Sequence, residues 1–489
     1  MKLKRILFIF ILTAAMILRP ADVLAEDAAQ QGNTAQEKTE EEKAAEEKAK
    51  AEAKEKEDSY NRQPESNSYK DWPKGPQVYA DSAIVMDMES GAILYAKQAD
   101  KQHYPASITK LLTTLVALEN AELTDKVKFT EDSVSFLEWD DANIGMKPGE
   151  EISLKDALYG VLLASANEVS HAVAESVGAE HLGGDYDSFI AEMNRRAGEL
   201  GCTGSHWVNA NGLHDDEHYT TAHDMALIAS AVYQQEEFRK IEETLEYKIG
   251  PTNITKEERV FQQNHKMLWP ENYYYDESCK AGKTGYTDQA KTTLVTMADN
   301  GKMHLAAVVL YDYGVDAYTD TRSMLDYVFD HFEKVPVSGT ENTDDIVAFQ
   351  NKEAYVVLPK DADSSKVEQE TVLSDQGIRS GRILYTYQGA DVGHADVSLT
   401  ETCYQRLSGT DAAKSDSKEI ENQGSTPQDA ENTTDLSDDK NQEKSNDSAG
   451  MKESSKEIKL VIGATAAAIF LAIVIISILD AKKRRKRKK

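Results

Sequence analysis

Between residues 78 and 400 the apolar positions recur at a spacing that changes from two residues to three or four and back again; outside that stretch they thin out, apart from one run near each end. The runs Ser82–Asp87 and Ala92–Ala96 flank Met88-Glu-Ser-Gly91, and this Gly-containing turn predicts a β-hairpin. From Tyr104 the period lengthens. Ile108, Leu111, Leu112, Leu115, Val116 and Leu118 have the spacing of a helix face packed on a core. Pro105 stands at its opening, where a missing N–H has no partner to lose. Ser153 reads as the N-cap of a helix with Leu154, Ala157, Leu158, Val161 and Leu162 on its apolar face. That helix runs into Ala164-Ser-Ala-Asn167, and a second helical pattern spans Glu168 to Val177. Ser165 and Asn167 therefore fall at a junction of two apolar helices, where polar side chains need partners. Thr221 caps a helix from Ala222 to about Tyr233. Thr292–Met297 and His304–Tyr311, joined through Asp299-Asn-Gly-Lys302, predict a second hairpin, and Asp320–Phe332 an amphipathic helix. Strands early and late with helices between them predict an α+β fold, one antiparallel sheet made from both ends of the region with helices on its faces.

After Pro336 the pattern shifts to short β-type runs, Val347–Phe349, Ala354–Leu358, Ile383–Tyr387 and Ala395–Leu399. These predict a small all-β domain, a sandwich, over residues 336–404, after a larger domain over 76–335. Residues 26–75 are rich in Glu, Lys, Ala and Gln and read as a charged disordered linker; residues 405–458 read as a disordered tether. Residues 1–25 have a basic start, a short apolar run and Val23-Leu24-Ala25 before Glu26, the pattern of a cleaved signal peptide. Residues 459–480 contain the uncharged run Leu460–Leu479, long enough for a transmembrane helix. The basic block that follows, residues 481–489, predicts a cytoplasmic C-terminus, with everything between leader and anchor outside the cell membrane.

Composition narrows the functional classes. The chain of 489 residues carries a formal net charge of −30, which argues against nucleic acid as a partner. Cys202, Cys279 and Cys403 are too few and scattered for a disulfide framework and read as buried thiols. The histidines lack metal-ligand spacing, so no metal and no cofactor is expected.

The chemistry lies in three short motifs. Ser107-Ile-Thr-Lys110 places a hydroxyl and an amine on one face of the helix start. Burial pushes a lysine toward its neutral form, in which it can accept the serine proton. Alone the pattern is weak, since Ser415-Asp-Ser-Lys418 repeats it in the tether. It gains meaning from Ser165-Ala-Asn167 and Lys283-Thr-Gly285, which follow in order, the last just before a strand hairpin. The set resembles the serine D-alanyl-D-alanine carboxypeptidases, the low-molecular-mass penicillin-binding proteins. Gly145–Gly149, Asn209–Leu213, Tyr219–Ala222 and Gly285–Asp288 are also similar to that family, and the likeness covers roughly residues 76–400.

The resemblance implies a penicillin-binding-protein/β-lactamase-like fold and an acyl-enzyme on Ser107, with Lys110 as base and Ser165 passing a proton between Lys110 and the leaving amine. Asn167 would hold the substrate amide, and Lys283 and Thr284 its carboxylate. Gly285 would allow close approach of the substrate backbone, and the backbone N–H of Tyr286 would join that of Ser107 in an oxyanion hole. The implied partners are peptidoglycan stem peptides, which would lose their terminal D-alanine, and β-lactam antibiotics as covalent inhibitors, with the membrane reached through the C-terminal helix. A β-lactamase or a D,D-endopeptidase of the same fold is the alternative, although the Glu-x-x-Leu-Asn pattern of class A β-lactamases is absent between the second and third motifs. A catalytically weak wall-binding or scaffold protein is the alternative from another class.

Overall fold

The computed structural model describes residues 40–337, 344–374, 377 and 379–409. The expected leader (1–25), the anchor (459–480), the basic tail and the tether from residue 410 lie outside the described residues. Among the described residues no helix is long and apolar enough to cross a membrane.

The first element is a helix, α1 (Glu40–Asn61), followed by a 3₁₀ turn at Glu65–Ser68. This corrects the expectation of a disordered linker for residues 40–75. The composition lacks an apolar face, and the segment docks by other means. Lys56 pairs with Asp316, Lys291 with Glu52 at 2.8 Å, and Tyr60 stacks on Tyr79 with ring centroids 4.6 Å apart. Trp72 is buried, and so is Lys97, whose Nζ donates to the carbonyls of Ser59, Val78 and Ala80 at 2.7–2.8 Å.

Next come β1 (Ser82–Asp87) and β2 (Ile93–Lys97), then α2 (Lys110–Asn120), the short β3 (Lys126–Lys128), α3 (Asp132–Ser135) and β4 (Glu151–Ser153). The helices α4 (Leu154–Leu162), α5 (Asn167–Glu180), α6 (Tyr186–Glu199), α7 (Ala222–Tyr233) and α8 (Glu236–Glu242) follow. The two-stranded β5 (Glu246–Ile249) and β6 (Arg259–Gln262) lead to the long strands β7 (Cys279–Thr287), β8 (Lys291–Asp299) and β9 (His304–Asp312), and then to α9 (Asp316–His331). Ser153 caps α4 by accepting from the Asp156 N–H, and Thr221 caps α7 through the Asp224 N–H.

The main sheet has five antiparallel strands in the order β2-β1-β9-β8-β7. The first hairpin is thus joined to the last through β1 and β9, with Ile84 opposite Val308. All of β1 is buried because both faces are covered: Ile84 and Met86 face the cluster around α2 and α4–α7, while Ala83 and Val85 face the cluster that includes α9. The alternation that marks a strand here sorts side chains between two cores.

Beyond α9 come β10 (Phe332–Pro336), β11 (Ile346–Phe349), β12 (Tyr355–Pro359), β13 (Val367–Leu373), β14 (Ser380–Tyr387), β15 (Ala390–Leu399) and α10 (Glu401–Ser408). They form a four-stranded sheet, β11-β15-β14-β13, and a β10–β12 pair. Ile383, Tyr385 and Val397 lie in the same buried cluster as Val85 and Leu325, so these strands share the core of the outer face of the main sheet. The helix at Glu401–Ser408 corrects the all-β expectation for this end and the start of the expected tether. Thr400 caps it through the Cys403 N–H, and Cys403 is buried.

Candidate active site

Ser107 is not inside the α-helix but in a 3₁₀ turn, Ala106–Thr109, that leads into α2. Ala106 has φ +52°, a left-handed conformation that costs an alanine about 1–2 kcal/mol. The surroundings fix it. Thr109 donates to the Ala106 carbonyl at 2.8 Å, Thr293 donates to the Pro105 carbonyl at 2.8 Å, and Gly212 packs so close that a Cβ there would lie 2.0 Å from that same Ala106 oxygen. The turn holds Ser107 half-buried at the mouth of a cavity of about 400 Å³.

Lys110 follows one turn later, fully buried. Its Nζ lies 2.9 Å from Ser107 Oγ, 2.8 Å from Asn167 Oδ1 and 2.5 Å from the Asn211 carbonyl oxygen. Burial, and after it the charge of Lys283, hold this amine well below the ordinary lysine pKa. A neutral amine has two N–H groups and a lone pair. The two amide oxygens take the N–H groups, which leaves the lone pair for the Ser107 hydroxyl.

Lys283, also buried, donates to Ser165 Oγ at 2.9 Å and to the Thr284 carbonyl at 3.0 Å. Ser165 has φ +60° in the junction before α5, which turns its hydroxyl away from the helix and onto Lys283. The structure therefore exchanges two expected contacts. Ser165, expected to serve Lys110, bonds Lys283; Asn167, expected on the substrate amide, has its oxygen on Lys110. Asn167, Lys110 and Lys283 lie beneath the floor of the cavity, while Ser107, Ser165, Thr284, Gly285 and Tyr286 line it.

β7 is an edge strand, and its outward amides matter. The Gly282 N–H points away from β8 and donates to Glu242 Oε2 at 3.1 Å. The register with β8 is unbroken from Ala281 to Thr287, so the N–H groups of Thr284 and Tyr286 point outward as well. At Gly285 a Cβ would lie 2.9 Å from the Ser107 backbone nitrogen and 2.3 Å from Thr293 Oγ1, so only glycine lets β7 run this close to the serine turn. The Ser107 and Tyr286 N–H groups can then act on one oxygen. Tyr286 itself is 63% exposed, its hydroxyl donating to Asp288 at 3.0 Å.

Three participants were not among the expected site residues, although Asn211 lies in the family-like run Asn209–Leu213. Asn211 contributes a backbone carbonyl, which no side-chain pattern reveals. Lys266 lines the cavity with its Nζ over the rings of Tyr318 and Tyr274, at 5.5 and 6.0 Å from their centroids. Glu168 is buried and accepts from the N–H groups of Ile144 and Met146, which fixes the loop beside the Ser165 junction. All three cysteines are free and buried, and burial pushes the Cys279 thiol up. A larger cavity, about 850 Å³, lies against α1 among charge pairs such as Glu52–Lys291 and contains neither Ser107 nor Ser165.

The sequence profile of peptidase family S11, D-alanyl-D-alanine carboxypeptidase, matches residues 69–313. The chain is 30% identical over 271 residues to the D-alanyl-D-alanine carboxypeptidase DacF of Bacillus subtilis, an alignment covering 53% of this chain and 64% of that protein. To DacA of Haemophilus influenzae it is 28% identical over 354 residues, covering 66% of this chain and 85% of that protein. To DacB2 of Mycobacterium tuberculosis it is 30% identical over 241 residues, covering 49% and 76%. The profile takes in about half of the chain, every strand of the five-stranded sheet and all three motifs, and on that ground the chain belongs to the D-alanyl-D-alanine carboxypeptidase family of serine peptidases.

Proposed function

We propose that this chain is a serine D-alanyl-D-alanine carboxypeptidase that removes the terminal D-alanine of peptidoglycan stem peptides and is acylated by penicillin. The observation that carries the reading is the buried Lys110 amine, 2.9 Å from Ser107 Oγ, with the Asn167 and Asn211 oxygens at 2.8 and 2.5 Å placed to take the two N–H groups of its neutral form. Ser107 Oγ attacks the carbonyl of the last amide while its proton passes to Lys110. The oxygen that gains charge lies between the N–H groups of Ser107 and Tyr286, and such donors each contribute ~10²–10³ in rate. The C–N bond breaks, the proton goes to the leaving D-alanine amine, and an acyl-enzyme remains on Ser107. Water then attacks the ester, giving its proton to Lys110; the acyl C–O bond to Ser107 breaks, Lys110 returns the proton to Ser107 Oγ, and the acid leaves. Thr284, with the Lys283 charge beneath it, suits the substrate's terminal carboxylate, and Ser165 keeps that ammonium in place through its 2.9 Å bond.

Among the described residues that line the cavity none is a carboxylate that would activate water for fast deacylation. This favours a stable penicillin adduct over β-lactamase turnover. The apolar run Leu460–Leu479 and its basic flank support an anchored enzyme with the site outside the membrane, and the strands after Pro336 support a small β-rich domain between site and tether. The test is direct. Ser107→Ala abolishes covalent labelling by a fluorescent penicillin, and the wild-type chain releases free D-alanine from a defined pentapeptide, read by mass. Labelling that persists in Ser107→Ala overturns the assignment; cleavage of a crosslinked dimer in preference to the pentapeptide would make it an endopeptidase.

A further inference from the structure

At the open edge of β7 lies a carboxyl group the mechanism does not use. Glu242 ends α8 and is fully buried, yet it has only neutral donors, the Gly282 N–H at 3.1 Å and Gln263 Nε2 at 3.2 Å, both on Oε2. Its Oε1 is buried without a hydrogen-bond partner. An ionised carboxylate so placed is costly unless a cation faces it. The residue after Gly282 is Lys283, and Glu242 is the acid whose charge bears on that lysine.

We propose that Glu242 is a positioning residue that, from the open edge of β7, holds Lys283 as the ammonium ion whose charge serves the substrate carboxylate. The inference rests on the carboxypeptidase reading above. The groups around the pair leave this role to Glu242. His265 packs against β7 at Gly282, its Nε2 2.9 Å from Thr296 Oγ1 on β8, and burial together with the Lys283 charge keeps it neutral, its pKa about 3. Cys279 is buried and protonated. Lys110, across the floor, is held well below the ordinary lysine value by burial and by Lys283, so it adds no stable positive charge. Burial pulls Lys283 down and the Glu242 charge pulls it part of the way back, to about 8; burial pushes the Glu242 carboxyl up, to about 7 against the opposing Gly282 N–H, Lys283 charge and Gln263. Without that negative charge, Lys283 loses its proton at a lower pH, and the site loses its cation where the wild type still has it. Glu242 also closes the open edge of β7 at Gly282, one step before the cleft begins, so one side chain both ends the strand edge and sets the charge beside it.

The test is the pH profile of Ser107 acylation by a fluorescent penicillin, measured on the full chain. In the wild type, acylation falls on the acid side as Lys110 is protonated and on the basic side as Lys283 is deprotonated. In Glu242→Gln the basic limb moves to lower pH by about one unit, which is about a tenfold loss of rate on that side. In Glu242→Asp, which keeps the charge, it stays closer to the wild type. Gln263→Met removes a donor from the carboxylate and moves the limb the same way by less, so the proposal is decided even if Glu242→Gln does not fold. A basic limb that stays in place in every variant that folds, or a loss of rate equal at all pH values, overturns the role of Glu242. A wild-type chain that is not labelled at any pH instead overturns the carboxypeptidase reading itself.

Discussion

Gly285→Ala tests the geometry of the cleft with one methyl group. The added Cβ would lie 2.3 Å from Thr293 Oγ1, 2.9 Å from the Ser107 nitrogen and 3.1 Å from the Ala106 Cβ, against ordinary heavy-atom contacts of roughly 3.5–4.0 Å. Thr293 cannot turn away freely, because its hydroxyl donates to the Pro105 carbonyl at 2.8 Å and so holds the turn that carries Ser107. Relief therefore comes in two ways: the turn loosens, or β7 backs away from Ser107 by roughly 1 Å. Either separates the two N–H groups of Ser107 and Tyr286, and losing one such donor costs ~10²–10³ in rate. The expected outcome is acylation by fluorescent penicillin about a hundredfold slower, with a loss of about 1–3 kcal/mol in stability, the usual cost of overpacking. The rate constant of labelling and a thermal melt on the same samples check it. A Gly285→Ala/Thr293→Ala double variant removes the shortest contact and leaves the one to the Ser107 nitrogen, so it recovers only part of the rate. Acylation within about threefold of wild type in the folded single variant would refute the close approach of β7 to Ser107. Full recovery in the double variant would put the whole effect at Thr293 and refute the role given to the Ser107 nitrogen.

Two further outcomes follow from side chains outside the motifs. Lys266→Ala removes a half-buried cation from the wall of the cavity that holds Ser107; KM for a peptide ending in a free carboxylate rises about tenfold with kcat little changed, equal to ~1.4 kcal/mol of binding. Steady-state kinetics check it, and an unchanged KM refutes it. Glu89 joins the β1–β2 turn to the strands after α9, through Lys334 Nζ at 2.7 Å and the Tyr355 hydroxyl, and to β9 through His304 Nδ1 at 2.6 Å. Burial pushes its carboxyl up, but these partners, Lys334 foremost, bring it to about 2. The unfolded chain then holds this proton more tightly, so the contribution is complete above the ordinary carboxylate pKa, near 4.5, and is lost as pH falls toward 2. Glu89→Gln therefore lowers the melting temperature at pH 6, and the gap to the wild type narrows as pH falls from 4.5 toward 2; a gap that does not narrow refutes it.

How legible the protein was from sequence depends on what each residue needs. The α2 face from Ile108 to Leu118 and the two hairpins were readable because burial repeats a chemical type at a fixed period. The three motifs were readable because each packs several functional groups into a few residues. What they touch was less so: the Ser165–Lys283 and Asn167–Lys110 pairs depend on a backbone turn at Ser165 that no propensity reports. α1 was read as a linker because it docks with ion pairs and single aromatic rings rather than an apolar stripe. Glu242 sits among charged neighbours, Glu236–Glu243, and was not singled out; the packing of α8 against the edge of β7 distinguishes it from Glu243.

The pairing of β1 with β9 has a consequence for when reactivity appears. Ser107 follows the first hairpin, whereas Lys283 and the Tyr286 amide belong to the last strands of the sheet, and the two groups share one surface only once β9 has closed against β1. Contacts so distant in sequence form late, after the long intervening segment has been ordered. A partly synthesised chain would therefore carry the serine without β7 beside it. The closing strand works as a safety catch, keeping the serine inert until the protein is whole.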